Sequence, residues 1–219
     1  MAHPKRVEYI PYLKNILGDV PVIWDKENNC LETRIRCLEA HLEVDAEHFI
    51  TIQDDAILAD DFISKVEIFI SSINEEAFYN FYYKQSQKRE LLQDAIARNR
   101  NYIKLGRLYN EIGFSIHKKH LNNLTEYCKL RYKQGHTKDW VLQDYVWQND
   151  IDVYFSVPSL VNHRVVPSLL RGRSGKDRVA MWFDGDKMEE GKLIPVKIKD
   201  KTKTPGRNFK LVNGKIVPK

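Results

Sequence analysis

Two carboxylates stand side by side in Phe49-Ile50-Thr51-Ile52-Gln53-Asp54-Asp55-Ala56, directly after a run of apolar, strand-favouring residues. Paired carboxylates at the open end of a strand suit a hard divalent cation such as Mg2+ or Mn2+. Such an ion takes oxygen ligands and keeps positions free for phosphate oxygens. The same acids, with Asp60 and Asp61 just beyond, would equally serve to cap the helix that follows. A second group lies far downstream, in Val157-Pro158-Ser159-Leu160-Val161-Asn162-His163-Arg164. There an imidazole able to ligate a metal sits beside a guanidinium able to pair with phosphate. A purely structural histidine is the alternative. The third candidate is Asp139, preceded by Gly135 and His136. An aspartate opening a helix can cap it, or act as a general base toward a substrate hydroxyl.

These groups need a scaffold that gathers them. Residues 6–10 read as a short extended run and residues 14–17 as a helical turn closed by Gly18. Val20-Pro21-Val22-Ile23-Trp24-Asp25 reads as a buried strand ending on an acid. Asn28 or Asn29 is placed to cap a helix whose Leu31, Ile35, Leu38 and Leu42 follow helical spacing. Residues 49–52 form a strand, and Phe62, Val66, Phe69 and Ile70 share one face of the next helix. The aromatic run 78–83 reads as a core strand. Residues 87–104 read as an amphipathic helix or a long excursion. Gly113-Phe114-Ser115-Ile116 is a strand before a helix near residues 118–132; residues 139–148 are a helix and 153–157 a strand. Trp140 and Trp147, seven apart on one helix face, are expected in the core, and His117, His120 and His136 as structural or surface groups. Strands alternating with helices predict the α/β class, with a mostly parallel sheet flanked by helices. Ligands of such sheets sit beyond the carboxyl ends of the strands, where Asp25, Asp54 and Asp55 fall.

Composition narrows the classes further. The chain has 219 residues, 42% of them apolar and 30% charged, which excludes a disordered chain and suits one folded domain. No apolar run approaches the ~20 residues of a membrane span, and the first residues lack the apolar stretch of a secretory signal. Cys30, Cys37 and Cys128 are odd in number and have no metal-type spacing, which favours a reducing cytoplasm over a disulfide scaffold or a Cys-based zinc site. Residues 1–163 carry 20 Lys/Arg against 24 Asp/Glu, whereas residues 164–219 carry 15 against 6. A basic segment of this kind attracts polyanions, nucleic acid being the commonest; a solvated face is the plain alternative. Residues 197–219 read as a Lys-rich arm or a short hairpin turning at Asn213-Gly214.

The acidic pair after a hydrophobic strand, Gly-Phe-Ser-Ile-His-Lys-Lys-His-Leu, Asp139 opening a helix, and Pro-Ser-Leu-Val-Asn-His-Arg together resemble the GT-A nucleotide-sugar glycosyltransferases. The likeness is to the small bacteriophage type and, more distantly, to the lipopolysaccharide glycosyltransferases. It covers roughly residues 4–185. The resemblance implies a GT-A-like (Rossmann-like) domain over residues 1–185 and a basic C-terminal extension over 186–219. It implies Asp55 as a ligand of Mn2+ or Mg2+, His163 as a late metal or diphosphate ligand, and Asp54 on the ribose or a metal-bound water. Arg6 and Asp25 would hold the base and ribose, Arg34 would border the nucleotide, and Arg164 would complete the diphosphate cluster. Asp139 would take the acceptor's proton. Gln53 departs from the pattern, since relatives often carry an acid there. The implied donor is a UDP-sugar, UDP-glucose by default. The implied acceptor is a hydroxymethylated pyrimidine, such as 5-hydroxymethylcytosine, in phage DNA within the host cytoplasm. A lipopolysaccharide or other cell-surface glycan is the alternative acceptor, and a nucleic-acid-binding protein without catalysis is the alternative of another class. The loop of Arg171, Arg173, Lys176 and Arg178 would close over the diphosphate, contact acceptor phosphates, or stay solvated.

Overall fold

Helices cover both faces of a five-stranded sheet in the computed structural model, which describes residues 1–84, 87–137, 140–166 and 178–184, and the backbone of four short strands in the C-terminal part. In chain order the strands of this sheet are β1 (His48–Ile52), β3 (Phe78–Asn80), β4 (Tyr102–Leu105), β5 (Gly113–His117) and β6 (Val153–Ser156). Their spatial order is β1-β5-β3-β6-β4. The remaining two strands of the body, β2 (Ala56–Leu58) and β7 (Val161–His163), pair antiparallel as a separate ribbon. The α/β class is as expected, but the sheet is mixed. β3 and β6 pair in parallel, and the other three pairings are antiparallel. The reason is that β5 enters between β1 and β3 against the direction of both, and β4 returns against β6. β1, β3 and β6 therefore run the same way, and their carboxyl ends share one end of the sheet.

Strand alternation sorts the core into two layers. Phe78, Phe114, Ile116, Val153 and Phe155 pack with α2 (Cys30–Leu42), α4 (Arg89–Ala97), α5 (Lys118–Lys133) and α6 (Trp140–Gln148). Ile52, Tyr79 and Tyr154 pack on the other face with α1 (Ile10–Leu17) and α3 (Phe62–Ile73). Each fully buried Leu or Phe of these layers contributes roughly 1.5–3 kcal/mol. The helix starts and stops are written locally. The Asn29 side chain accepts the Glu32 N–H at 3.1 Å to start α2, and Gly18 ends α1 at φ 77°.

Three expectations are corrected. Residues 6–10 do not form a strand, because Pro4 and the cap made by the His3 ring on the Lys5 N–H start a 3-10 helix (Pro4–Tyr9). Of residues 20–25 only Trp24 makes a strand-type bridge, in parallel with Ala2; Pro21 has no N–H to extend a ladder. Trp140 and Trp147 are 39% and 63% exposed, because α6 turns Val141, Leu142, Tyr145 and Val146 inward instead. The aromatic run 78–83 is buried as expected. All three cysteines are free thiols. In the basic C-terminal part, β8 (Lys187–Glu189) pairs with β9 (Lys192–Ile194), and β10 (Phe209–Val212) with β11 (Lys215–Pro218). The turn expected at Asn213-Gly214 lies outside the described residues. No helix among the described residues is long and apolar enough to cross a membrane.

His41, near the end of α2, stacks obliquely on Phe49 with ring centroids 5.1 Å apart. Burial, with Arg34 and the chain's amino terminus nearby, lowers its pKa from 6.5 to about 4. The unfolded chain therefore binds a proton at His41 that the folded one refuses. Stability is fully present above 6.5 and falls as the pH drops toward about 4. Melting temperatures measured across that range should decline toward acid, and His41→Asn should make the decline shallower.

Candidate functional site

The carboxyl end of β1 is held by the Gln53 N–H, which donates to the Ile112 carbonyl at 2.8 Å. The chain then turns tightly, the Ala56 N–H reaching the Gln53 carbonyl at 3.2 Å, and enters β2. β2 and β7 pair with Ala56 opposite His163. That register sets Asp55, one residue before the ribbon, beside His163. The Arg164 N–H also donates to the Asp55 carbonyl at 2.9 Å. The result is His163 Nε2 at 3.2 Å from Asp55 Oδ2, although the two residues are far apart in sequence. Gly113 of β5 makes room for this ribbon: a Cβ there would stand 2.8 Å from Val161 Cγ2 and 3.1 Å from Ile52 Cδ1.

The first residues close the cluster from the other side. The Ala2–Trp24 bridge aligns the chain so that the His3 N–H donates to Asp54 Oδ2 at 2.6 Å. One turn on, Arg6 Nη1 donates to Asp54 Oδ1 at 3.0 Å and also to Asp55 Oδ2. Arg164 is buried, its guanidinium carbon 4.5 Å from the Tyr9 ring centroid and 4.9 Å from that of Tyr12. The Arg6 guanidinium is thus shared by two adjacent carboxylates, and the Arg164 guanidinium lies over the two tyrosine rings.

Burial and the neighbouring Asp55 charge raise the Asp54 pKa, against the His3 amide and Arg6, which favour its charged form. Arg6 is desolvated, yet Asp55 and Asp54 together hold its pKa above the usual value. Burial lowers the His163 pKa despite the pull of Asp55. The tautomer follows from geometry. His163 Nδ1 lies 2.6 Å from the Arg164 carbonyl, which can only accept, so Nδ1 carries the hydrogen. In the neutral ring Nε2 is then a bare lone pair facing a carboxylate. Asp55 Oδ1 is buried and accepts a hydrogen bond from no described residue. His163 Nε2 thus faces Asp55 Oδ2, the oxygen that also accepts from Arg6, while Oδ1 is the oxygen without a donor among the described residues.

Of the residues singled out in the sequence, Arg6, Asp54, Asp55, His163 and Arg164 meet here. Asp54 caps no helix; the residue before α3 is Asp61, at φ 55° and with no side-chain cap bond. Asp25 is buried nearby, but its Oδ1 accepts the Asn29 N–H at 2.9 Å and so holds the turn into α2. Arg34 does not border the cluster's open side: it is buried, donates to Glu111 at 2.8 Å and lies over the Phe114 ring. Asp139, Arg171, Arg173 and Lys176 lie outside the described residues. The Arg178 carbonyl accepts the Tyr82 hydroxyl at 2.5 Å. Four contributors were not read from the sequence: His3, Tyr9, Tyr12 and Asn162, whose side chain accepts the N–H groups of His163 and Ala180, each at 2.8 Å. The three-residue spacing of Tyr9 and Tyr12 was the available signal for the first pair of aromatic neighbours. Reading that stretch as extended hides it.

No group of three or more His, Cys, Asp or Glu suited to a metal occurs among the described residues. The donor chemistry of Asp55 Oδ1 and His163 Nε2 nonetheless fits a divalent ion whose other ligands come from a substrate's phosphates and water. Comparison with protein-family models and with curated proteins finds no match.

The close approach at Gly113 gives a direct check on how the ribbon is seated. Gly113→Ala should lower the unfolding free energy by about 1–3 kcal/mol in denaturant titrations. Gly106→Ala, where a Cβ would meet nothing within 4 Å, should leave it unchanged or raise it by up to about 1 kcal/mol.

Proposed function

We propose that this chain is a metal-dependent glycosyltransferase that moves a sugar from a UDP-sugar to a hydroxyl acceptor, most fittingly a hydroxymethylated pyrimidine of phage DNA. One observation carries the reading: the His163 imidazole of β7 stands 3.2 Å from the buried Asp55 carboxylate at the end of β1. With Nδ1 protonated and the ring neutral, Nε2 and the carboxylate both offer lone pairs that a cation would take up. The resemblance over residues 4–185 supplies the reaction class, and the basic C-terminal quarter supplies a reason to favour a polyanionic acceptor.

Asp55 and His163 would hold Mn2+ or Mg2+, which when bound supplies positive charge against the departing diphosphate. Arg6 donates to both Asp54 and Asp55 and so holds the two side chains in place. Arg164, fixed over two aromatic rings, offers a directed charge to a phosphate oxygen. A carboxylate base completes the step by taking the proton of the attacking hydroxyl, the role proposed for Asp139. Loss of one such electrostatic contact should cost on the order of 10²–10³ in rate.

Thermal unfolding with UDP and Mn2+ tests the reading. At a hundredfold excess over Kd, stabilisation of about 2.7 kcal/mol should raise Tm by roughly 5–10 °C. UDP or Mn2+ alone should give less, Asp55→Asn should abolish the metal-dependent part, and His163→Ala should reduce it. A metal-independent shift, or none, counts against it. With hydroxymethylated DNA and a labelled UDP-sugar, Asp139→Ala should abolish transfer. Label on a lipid-linked glycan alone would reassign the acceptor.

A further inference from the structure

A cleft of about 730 Å3 lies between the first turn of α4 and residues 105–110. Lys84, Lys88 and Arg107 line it, and no acidic side chain does among the described residues. None of the three forms an ion pair with a described residue. The setting makes this unusual, since residues 1–163 carry more acid than base overall. Three cations without an ion-pair partner among the described residues, on a mildly acidic body with Glu90 near the Tyr83 wall, mark a place where the partner supplies negative charge. Donor capacity is unused as well. Gln87 Oε1 accepts the Lys84 N–H at 2.5 Å, while Gln87 Nε2 is buried and has no acceptor among the described residues. Tyr109 contributes a half-buried ring to the lining, a surface on which a base can stack. The cleft is also connected to the carboxylate cluster. Lys84 follows Tyr82 by two residues, at most about 7 Å of chain, and Asp55 is close enough to Tyr82 to act on its ionisation. On the other wall, the carbonyls of Tyr109 and Asn110 accept from Asn80, and Ile112 holds Gln53.

We propose that this cleft binds a single nucleic-acid strand, with Lys84, Lys88 and Arg107 on its phosphates and Tyr109 against a base. Lys84 and Lys88 flank the turn that the Gln87 N–H closes on the Lys84 carbonyl, and Arg107 comes from the stretch after β4, so positive charge enters the cleft from two segments rather than from one point. Binding of the strand stands on the cleft alone. That the strand is the acceptor rests on the transferase reading above.

The experiment is fluorescence anisotropy of a labelled oligothymidylate of about ten nucleotides, titrated with the full-length protein over a range of salt, with neither donor nor metal present. The triple variant Lys84→Ala, Lys88→Ala, Arg107→Ala should bind about tenfold more weakly or worse. Its salt dependence should fall by about 2 in log–log slope, since each phosphate contact to a single strand contributes about 0.7. Lys118→Ala, Lys119→Ala, Lys129→Ala on α5 removes the same charge elsewhere and should bind as the unaltered chain does. Circular dichroism melting shows that both variants fold. Equal binding by the first variant and the unaltered chain overturns the proposal. So does full displacement of the oligonucleotide by UDP or pyrophosphate, which would make the cleft a site for free phosphate esters. Strand binding without any sugar transfer overturns the transferase reading alone. Transfer to DNA that the triple variant performs undiminished overturns this one alone.

Discussion

Three residue pairs between β2 and β7 join the two halves of the site: Ala56 with His163, Ile57 with Asn162, and Leu58 with Val161. The approach of His163 to Asp55 depends on that register. A slip of one residue would turn His163 to the opposite face of the ribbon and leave Asp55 facing a different side chain. The register is fixed by packing on both sides. Val161 sits against the bare backbone of Gly113, its N–H donates to the Phe81 carbonyl at 2.9 Å, and Leu58 and Val161 are buried. The Asn162 side chain adds a second restraint by bonding the Ala180 N–H.

The cost of the arrangement is electrostatic. Two adjacent carboxylates, both nearly inaccessible to water, would repel one another and lose hydration. The amino-terminal segment offsets this with a backbone N–H from His3 and a guanidinium from Arg6 shared by both acids. Those bonds leave Asp55 Oδ1 without a donor among the described residues. A buried polar group without a partner is destabilising in isolation by roughly 1–3 kcal/mol.

Much of the scaffold was legible in the sequence because local signals were strong. Leu31, Ile35 and Leu38 of α2 and Phe62, Val66 and Phe69 of α3 are buried as their spacing predicts, and the strands at Phe49 and Gly113 form as expected, whereas Leu42 at the end of α2 is exposed and Ile70 only partly buried. Direction of pairing was not legible, since a strand's own residues do not say which neighbour it takes, and β5 between β1 and β3 makes the sheet mixed. The first residues were misread because Arg6 to Ile10 has an alternating pattern, while the deciding contacts are the Pro4 start and the His3 cap. Asp54, Asp55, His163 and Arg6 could be named from residue type and position. That Arg34 goes instead to Glu111, deep in the core, depends on a partner 77 residues away. The exposure of Trp140 and Trp147 depends on which face α6 presents to α5, and helical spacing alone places both tryptophans together without choosing that face.

The central claim is that Asp55 and His163 share one divalent ion. Pulsed electron paramagnetic resonance of Mn2+ added to the protein with UDP measures it most directly, through the nitrogen coupling of a ligated imidazole and the phosphorus coupling of a bound diphosphate. The account predicts both couplings in the unaltered chain, with the nitrogen signal alone lost in His163→Ala. Mn2+ that shows neither coupling, or a nitrogen signal that survives His163→Ala, would contradict it.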